Sequence, residues 1–146
     1  MKRSVLGKIG FVLTNVMVMV ILHGNSKQFW PRIPYLSLRD ESTGEHTRLL
    51  FNTLAVSTAL QALVGRLPRE RWLPRALVIG VIPASLPALM FFGQKVLRLT
   101  GQAAEAYNLA LVPLLPIAAV AVEDALASQI GSPATAPTSA NHVQRG

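Results

Sequence analysis

The chain has 146 residues, of which 51% are apolar and only 14% charged; it contains no cysteine and has a formal net charge of +7. This length suits one domain. The charged fraction is well below the roughly 25% that is usual in soluble domains. The absence of cysteine excludes disulfides and thiolate metal sites. The basic residues flank apolar runs, and no nucleic-acid-binding motif accompanies them. We therefore expect them to contact anionic lipid headgroups and not nucleic acid.

Four apolar stretches have about the 20 residues that a helix needs to cross the hydrocarbon core of a membrane. They cover residues 4–22, 48–67, 75–92 and 104–122. The first follows a basic start, and we expect it to be a retained helix because no convincing cleavage site follows it. The sequence therefore predicts an all-α fold, a polytopic bundle of four transmembrane helices within residues 1–127.

The third and fourth predicted helices each contain a pair of prolines. These are Pro83 and Pro87, and Pro113 and Pro116. In a membrane bundle, neighbouring helices can satisfy the carbonyl groups that proline frees, so we expect kinks in both helices. Residues 128–146 are rich in Ser, Thr, Ala and Pro, and this composition predicts a disordered polar tail.

Basic residues in short loops indicate which side of a membrane the loops occupy. The amino end carries three basic residues within its first eight positions, and residues 65–75 carry four arginines. An even number of crossings puts both segments on one side, so we expect a multi-pass membrane protein with both termini in the cytoplasm. Glu123 and Asp124 come at the same side, at the end of helix four, and we expect both to be exposed.

Polar side chains recur inside the predicted spans, three of them at four-residue spacing on helix two. The set comprises Asn15, Thr53, Ser57, Gln61 and Asn108. Lipid would leave these groups without hydrogen-bond partners, so we expect them to face the bundle interior. One interpretation is that all five converge on one substrate pocket between helices one, two and four. The alternative is that they only join helices through interhelical hydrogen bonds.

Two histidines, His23 and His46, fall at comparable depth at the outer ends of helices one and two. Such a pair can ligate haem or a metal ion, but it has no diagnostic spacing, and capping or interface hydrogen bonds are favoured. No metal or cofactor is therefore predicted. Asp40, Glu41 and Glu45 precede His46, where an acid could form a general acid/base pair with it; a solvated loop is the favoured alternative.

The second half of the chain carries a set of residues that resembles a known family. In chain order they are Gly80, Pro83, Met90, Leu97, Leu99, Tyr107, Asn108, Pro113 and Leu114. The set is similar to that of the anthrone oxygenase-like family of small four-helix membrane proteins. Phe92, Gly93 and Gln94 stand where that family usually has proline, threonine and asparagine, and no arginine follows shortly after Asn108. The resemblance implies cofactor-independent oxidation of an aromatic polyketide.

Two functions are compatible with these features. One is a membrane enzyme, an oxidoreductase by the resemblance, that acts on a lipophilic polyketide-like molecule in a polar-lined cavity. Its candidates for catalysis, without assigned roles, are His23, His46, Gln61 and Asn108. The other is a non-catalytic accessory subunit or assembly factor whose apolar faces bind a larger membrane partner. The lipid bilayer is a partner in both cases.

Overall fold

The computed structural model describes residues 2–24, 33–37, 39 and 42–131. This part of the chain is helical and contains no β-strand, which confirms the all-α prediction. Its helices are α1 (Lys2–Gly24), α2 (Thr43–Leu63), α3 (Trp72–Phe91) and α4 (Gly101–Gly131). A short 3₁₀ turn precedes α3 at Arg69–Arg71, and a π-helical turn follows it at Phe92–Val96.

Local sequence signals determine both ends of α2. At its start, the Ser42 hydroxyl accepts a hydrogen bond from the backbone N–H of Glu45 at 3.3 Å, as a helix N-cap does. At its end, Gly65 adopts a φ of +66°, a conformation that glycine reaches without a steric cost. The next N–H, of Arg66, donates to the carbonyl of Gln61 at 2.8 Å. This glycine cap ends α2 and redirects the chain toward α3.

Three helical segments are long and apolar enough to cross a membrane. They are Val5–His23, Arg69–Val96 and Gly101–Ile130. The helix α2 is not among them, since Asn52, Gln61 and other polar residues interrupt its apolar sequence. The membrane character of the chain is therefore supported by three helices, and the predicted second crossing over residues 48–67 stays a prediction.

The helices form a closed bundle in which each packs against two neighbours, in the cyclic order α1, α2, α3, α4. Neighbouring helices run antiparallel. The end of α1 meets the start of α2 at His23 and His46, and we call this the histidine end. The start of α1 meets the end of α4 at Lys8 and Asp124, and we call this the charged end.

The interior of the bundle is filled by side chains from all four helices. Among the most buried apolar residues are Phe11, Leu50, Leu54, Val78 and Ala119. The outer faces carry equally apolar residues that are exposed, including Leu6, Met17, Val81, Phe91 and Leu109. Water disfavours so much exposed apolar surface, whereas lipid hydrocarbon accepts it, so these faces are suited to contact with a bilayer.

Both proline-containing helices continue through their prolines. The kinks expected there stay a prediction. The helix α4 extends beyond the predicted end at residue 122 to Gly131, so it includes the first residues of the predicted polar tail. Glu123 and Asp124 have partners on other elements, which explains why the helix does not end with its apolar run. Residues 132–146, the rest of that tail, lie outside the described part of the chain.

Candidate functional site

Three of the five predicted pocket residues lie in the bundle interior. Asn15 of α1 and Thr53 and Ser57 of α2 have no solvent-exposed surface. The helical spacing of four between Thr53 and Ser57 places both on the buried face of α2, together with Leu50 and Leu54. These side chains therefore face inward, and their role in a substrate pocket stays a prediction.

We call Asn15, Thr53 and Ser57 the interior group. Their polar atoms differ in their hydrogen bonding. The Thr53 hydroxyl donates to the carbonyl of Leu49 at 2.8 Å, and Asn15 Nδ2 donates to the carbonyl of Phe11 at 2.9 Å. Asn15 Oδ1 and Ser57 Oγ are buried and have no hydrogen-bond partner in the described part of the chain. Buried polar atoms are nearly always hydrogen-bonded, so each of these two atoms would be stabilised by a further polar group beside it.

The register of α1 against α2 brings Asn15 to the level of the α2 hydroxyls. His23 faces His46 at one end, and Arg75 contacts both Phe11 of α1 and Thr58 of α2 toward the other. Asn15 lies between these two points on α1, as do Thr53 and Ser57 on α2. The two helices thus carry their buried polar residues at similar depth.

The other two predicted pocket residues lie elsewhere. Gln61 is half-buried, and its Oε1 accepts a hydrogen bond from Arg75 Nη1 at 3.0 Å. Asn108 is exposed on α4, because Leu111, Leu115 and the half-buried Tyr107 occupy the inward face of that helix. The structure therefore does not bring Asn108 to the interior group, and it joins Gln61 to a charged network.

That network centres on Arg75, a buried residue of α3 that contacts all three other helices. Its Nε lies 2.5 Å from Glu123 Oε2 of α4, and its Nη1 lies 3.3 Å from the hydroxyl of Thr58 on α2. The guanidinium carbon stands 3.9 Å from the centroid of the Phe11 ring on α1, at the distance of a cation–π contact. One side chain thereby links the four helices at the charged end.

A second layer of the network lies closer to the surface. Arg71 Nη1 donates to Glu123 Oε1 at 3.2 Å and to Asp124 Oδ1 at 2.8 Å, and Lys8 Nζ donates to Asp124 Oδ2 at 2.6 Å. The prediction that Glu123 would be exposed is wrong, because its side chain is only 2% exposed between Arg71 and Arg75. Asp124 retains about a third of its exposure, as expected of a residue at the rim.

The two histidines meet at the opposite end of the bundle. The ring centroids of His23 and His46 are 5.7 Å apart, with an angle of 50° between the ring planes, and both side chains are half-buried. The sequence predicted a comparable depth for the two residues, and the structure also brings their rings into contact. Asp40 and Glu41, which were considered as acidic neighbours, lie outside the described residues.

Glu45, the third acidic candidate, is engaged by arginine. Its carboxylate forms an ion pair with Arg48 and accepts a hydrogen bond from the backbone N–H of Arg39 at 3.0 Å. The hydrogen bond from Arg48 lowers the pKa of Glu45, and this outweighs the opposing effect of partial desolvation. A carboxylate held in its charged form in this way is poorly suited to serve as a general acid with His46.

Arg48 also organises the short described part of the first loop. Its guanidinium donates to the carbonyls of Tyr35, at 2.5 Å, and Ser37, at 2.8 Å. Asn52 Nδ2 donates to the same Tyr35 carbonyl at 2.9 Å. Polar residues in the first turns of α2 thus serve to attach this loop to the bundle.

A groove of about 340 Å³ runs along the outside of the bundle between α1 and α4. Its lining consists of Lys8, Ile9, Val12, Leu13, Ile117 and Val120. None of the predicted pocket residues contributes to it. The groove is apolar apart from Lys8, so it has the chemistry of a site for a lipid chain and not of a polar-lined cavity.

Comparison with protein-family models, with curated proteins and with solved structures finds no match to this chain.

Proposed function

We propose that the chain is a four-helix membrane protein in which α2 is the fourth crossing. Support comes from the connectivity of the bundle. The first apolar helix finishes at the histidine end with His23, and the next apolar segment starts at the charged end with Arg69. If both cross the membrane, the intervening chain must return through its thickness, and α2 is the helix that packs between α1 and α3. Its polar residues are then tolerated because they face the bundle.

Within this proposal, the charged end faces the cytoplasm and both termini lie on that side. Arg66 and Arg69 are exposed in the connection between α2 and α3, and neither forms an ion pair with another described residue. Lys8 and Arg71 lie at the same end. Exposed basic residues in a short connection favour the cytoplasmic side.

The function we propose is binding of a lipophilic small molecule, with its polar group held at Asn15 and Ser57. The observation that carries this proposal is the pair of buried atoms, Asn15 Oδ1 and Ser57 Oγ, that lack partners within the described chain. A ligand hydroxyl would donate to Asn15 Oδ1, and a ligand oxygen would accept from the Ser57 hydroxyl. The aliphatic residues around these atoms fill the bundle interior, so an apolar molecule that enters from the bilayer would displace some of them on binding.

The resemblance to the anthrone oxygenase-like family supplies a reaction class for this proposal, namely oxidation of an aromatic, polyketide-like compound. The catalytic candidates His23, His46 and Gln61 lie toward the two ends of the bundle, on either side of the interior group. We therefore assign the interior group a role in binding the molecule.

The test is to extract the protein in mild detergent and analyse bound small molecules by native mass spectrometry. We expect a lipophile carrying a hydroxyl group to be retained, and to be lost in Asn15→Leu and Ser57→Ala. Ser85→Ala is the matched control, since the Ser85 hydroxyl already donates to the carbonyl of Ile82 at 2.7 Å. Co-purification of one protein in fixed stoichiometry, with no small molecule, would support the accessory-subunit alternative instead.

A further inference from the structure

We propose that the groove between α1 and α4 binds one molecule of an anionic phospholipid, with an acyl chain in the groove and the phosphate beside Lys8. The groove lies between two of the helices that are long and apolar enough to cross a membrane. The site is separate from the interior group, and it does not depend on the function proposed there. It rests on the direction of the groove, on its lining, and on the charge at one of its ends.

The groove starts at the charged end and runs toward the middle of the bundle. Its lining on α1 extends from Lys8, which donates to Asp124 of α4 at 2.6 Å, to Leu13. Because α1 and α4 run antiparallel, the lining on α4 extends back from Val120 to Ile117. At a rise of 1.5 Å per residue the groove is roughly 8 Å long, about half the hydrocarbon thickness of one leaflet. A lipid with its phosphate at Lys8 would therefore place the upper part of one chain in the groove.

The lining of the groove is suited to an acyl chain. Apart from Lys8 it is aliphatic, and the side chains of Ile9, Leu13 and Ile117 are each at least half exposed. A concave aliphatic surface covers more of one chain than a flat helix face does, and water is excluded from it in a bilayer. The volume of about 340 Å³ is at the lower end of the range for ligand clefts. The groove thus accommodates part of one chain, while the rest of the lipid stays in the bilayer.

The charged network at this end of the groove has one more cation than it has carboxylates. Its members are the cations Lys8, Arg71 and Arg75 and the carboxylates Glu123 and Asp124. Arg75 and Glu123 are buried as a pair, so the surplus positive charge lies at the rim with Lys8 and Arg71. Both rim cations contact the carboxylate of Asp124, which holds them side by side. A phosphodiester carries one negative charge and would balance this surplus.

Lys8 and Arg71 also retain hydrogen-bond donors for a phosphate. An ammonium group has three N–H donors and a guanidinium group has five. Among the described residues Lys8 donates to Asp124, and the hydrogen bonds of Arg71 all come from Nη1. Both side chains are about one-third exposed, so the remaining donors are accessible at the rim. A phosphate beside Lys8 can therefore accept charge-assisted hydrogen bonds without displacing Asp124.

Competition between two lipids tests the charge at the site. Delipidated protein in mild detergent is mixed with equal amounts of dioleoylphosphatidylglycerol and dioleoylphosphatidylcholine, which differ in headgroup charge but not in chains, and is analysed by native mass spectrometry. One phosphatidylglycerol should be retained in preference. Lys8→Gln should lower its retention by about fivefold, the factor expected for one basic residue beside an anionic headgroup. Lys95→Gln, at an exposed position of the histidine end, is the matched control and should leave retention unchanged.

A second pair of variants tests the groove independently of the charge. Leu13→Trp fills the groove, whereas Met17→Trp adds the same ring at an exposed position of α1 outside it. Retention of phosphatidylglycerol should fall in Leu13→Trp and not in Met17→Trp. Asn15→Leu should keep the preference for phosphatidylglycerol, so failure of the interior binding site and failure of the lipid site are distinguishable.

Four results would overturn the proposal. Equal retention of the two lipids by the unaltered protein would show that the groove does not select an anionic headgroup. Equal losses in Lys8→Gln and Lys95→Gln would show that charge anywhere on the protein is sufficient. Displacement of the lipid by an excess of inorganic phosphate would assign the cations to a free anion. A stable dimer without retained lipid would assign the groove to a second copy of the chain.

Discussion

Arg75 Nε and Glu123 Oε2 lie 2.5 Å apart inside the charged end of the bundle, where the two side chains are only 7% and 2% exposed. A buried ion pair gains little over apolar residues of similar volume, but the loss of one partner costs about 3–5 kcal/mol where it leaves a buried charge uncompensated. In Arg75→Met, Glu123 keeps its longer contact with Arg71, at 3.2 Å. The free energy of unfolding should therefore fall by no more than about 3–5 kcal/mol. Thermal or denaturant unfolding in detergent measures the change.

The double variant Arg75→Met/Glu123→Leu distinguishes this explanation from general disruption of packing. Removing both charges should recover most of the stability lost in Arg75→Met, because the buried carboxylate that lost its Arg75 partner is removed as well. Arg69→Gln, at an exposed position of the same end, should have no more than a small effect. A double variant as unstable as Arg75→Met alone would contradict the assignment.

Asp124 should contribute less than Glu123 to the free energy of unfolding, although each has two cationic partners. Its side chain is 32% exposed, so solvent screens its pairs with Lys8 and Arg71. Asp124→Asn is expected to cost about 1 kcal/mol or less, and the difference from the unaltered protein should shrink as salt is added. Parallel unfolding measurements at low and high salt check this, with Arg75→Met as the salt-insensitive comparison.

Much of the fold could be predicted from local sequence, whereas the pairing of charges could not. Apolar runs of membrane length indicated the helices, and the four-residue spacing of Thr53 and Ser57 indicated a buried face. Glu123 was expected to be exposed because the end of an apolar run usually meets water. Its burial depends on Arg71, in the 3₁₀ turn before α3, and on Arg75, in the first turns of α3, which both contact its carboxylate. The arginines in this connection, at the same end as Glu123, were the signal available.

The position of Asn108 illustrates a second limit of sequence patterns. Depth along a helix follows from residue number, but the direction of a side chain depends on which face the other helices cover. On α4 the buried positions Leu111, Leu115 and Ala119 repeat every four residues, and Tyr107 continues this row. Asn108 lies one residue from this row and is exposed, although Pro116, eight residues further along its own row, is buried. The exposure of Asn108 therefore reflects its position near the start of α4, which periodicity alone does not give.

The ion pair between Glu45 and Arg48 should make stability depend on pH. The pKa of Glu45 is lowered in the folded protein, chiefly by the hydrogen bond from Arg48. The folded state thus binds this proton less tightly than the unfolded chain, whose carboxyl has the ordinary value of 4.5. The stabilising contribution is present above that value and is lost as the pH falls through the lower pKa of the folded state.

Thermal unfolding of Glu45→Gln and the unaltered protein across this acidic range measures the contribution. The two midpoints should differ near neutral pH and converge as the carboxyl is protonated. Arg48→Gln should lose the same pH-dependent part of the unfolding midpoint, because it removes the group that lowers the pKa of Glu45. If the difference in midpoint between Glu45→Gln and the unaltered protein stays constant with pH, the ion pair is not the source of that difference.

The Tyr107 ring of α4 covers Gly93 in the π-helical turn that follows α3. A Cβ atom at Gly93 would lie 2.6 Å from Tyr107 Cε1, and the ring is held in place because its hydroxyl donates to the carbonyl of Leu89 at 2.9 Å. Gly93→Ala should therefore destabilise the protein by about 1–3 kcal/mol, as overpacking does. Gly80→Ala is the matched control in α3, since nothing lies within 4 Å of its Cβ position.

The control should be neutral or stabilising by up to about 1 kcal/mol, because alanine favours a helix more than glycine does. Replacing Tyr107 by leucine removes the ring that the new methyl group would meet. In that background Gly93→Ala should cost much less, although Tyr107→Leu itself loses the hydrogen bond to Leu89. Unfolding free energies of the two single variants and the double variant give the coupling between the two positions. Gly93→Ala could lower the free energy of unfolding equally in the unaltered protein and in Tyr107→Leu. That result would assign the destabilisation to the backbone of the π-helical turn and not to contact with Tyr107.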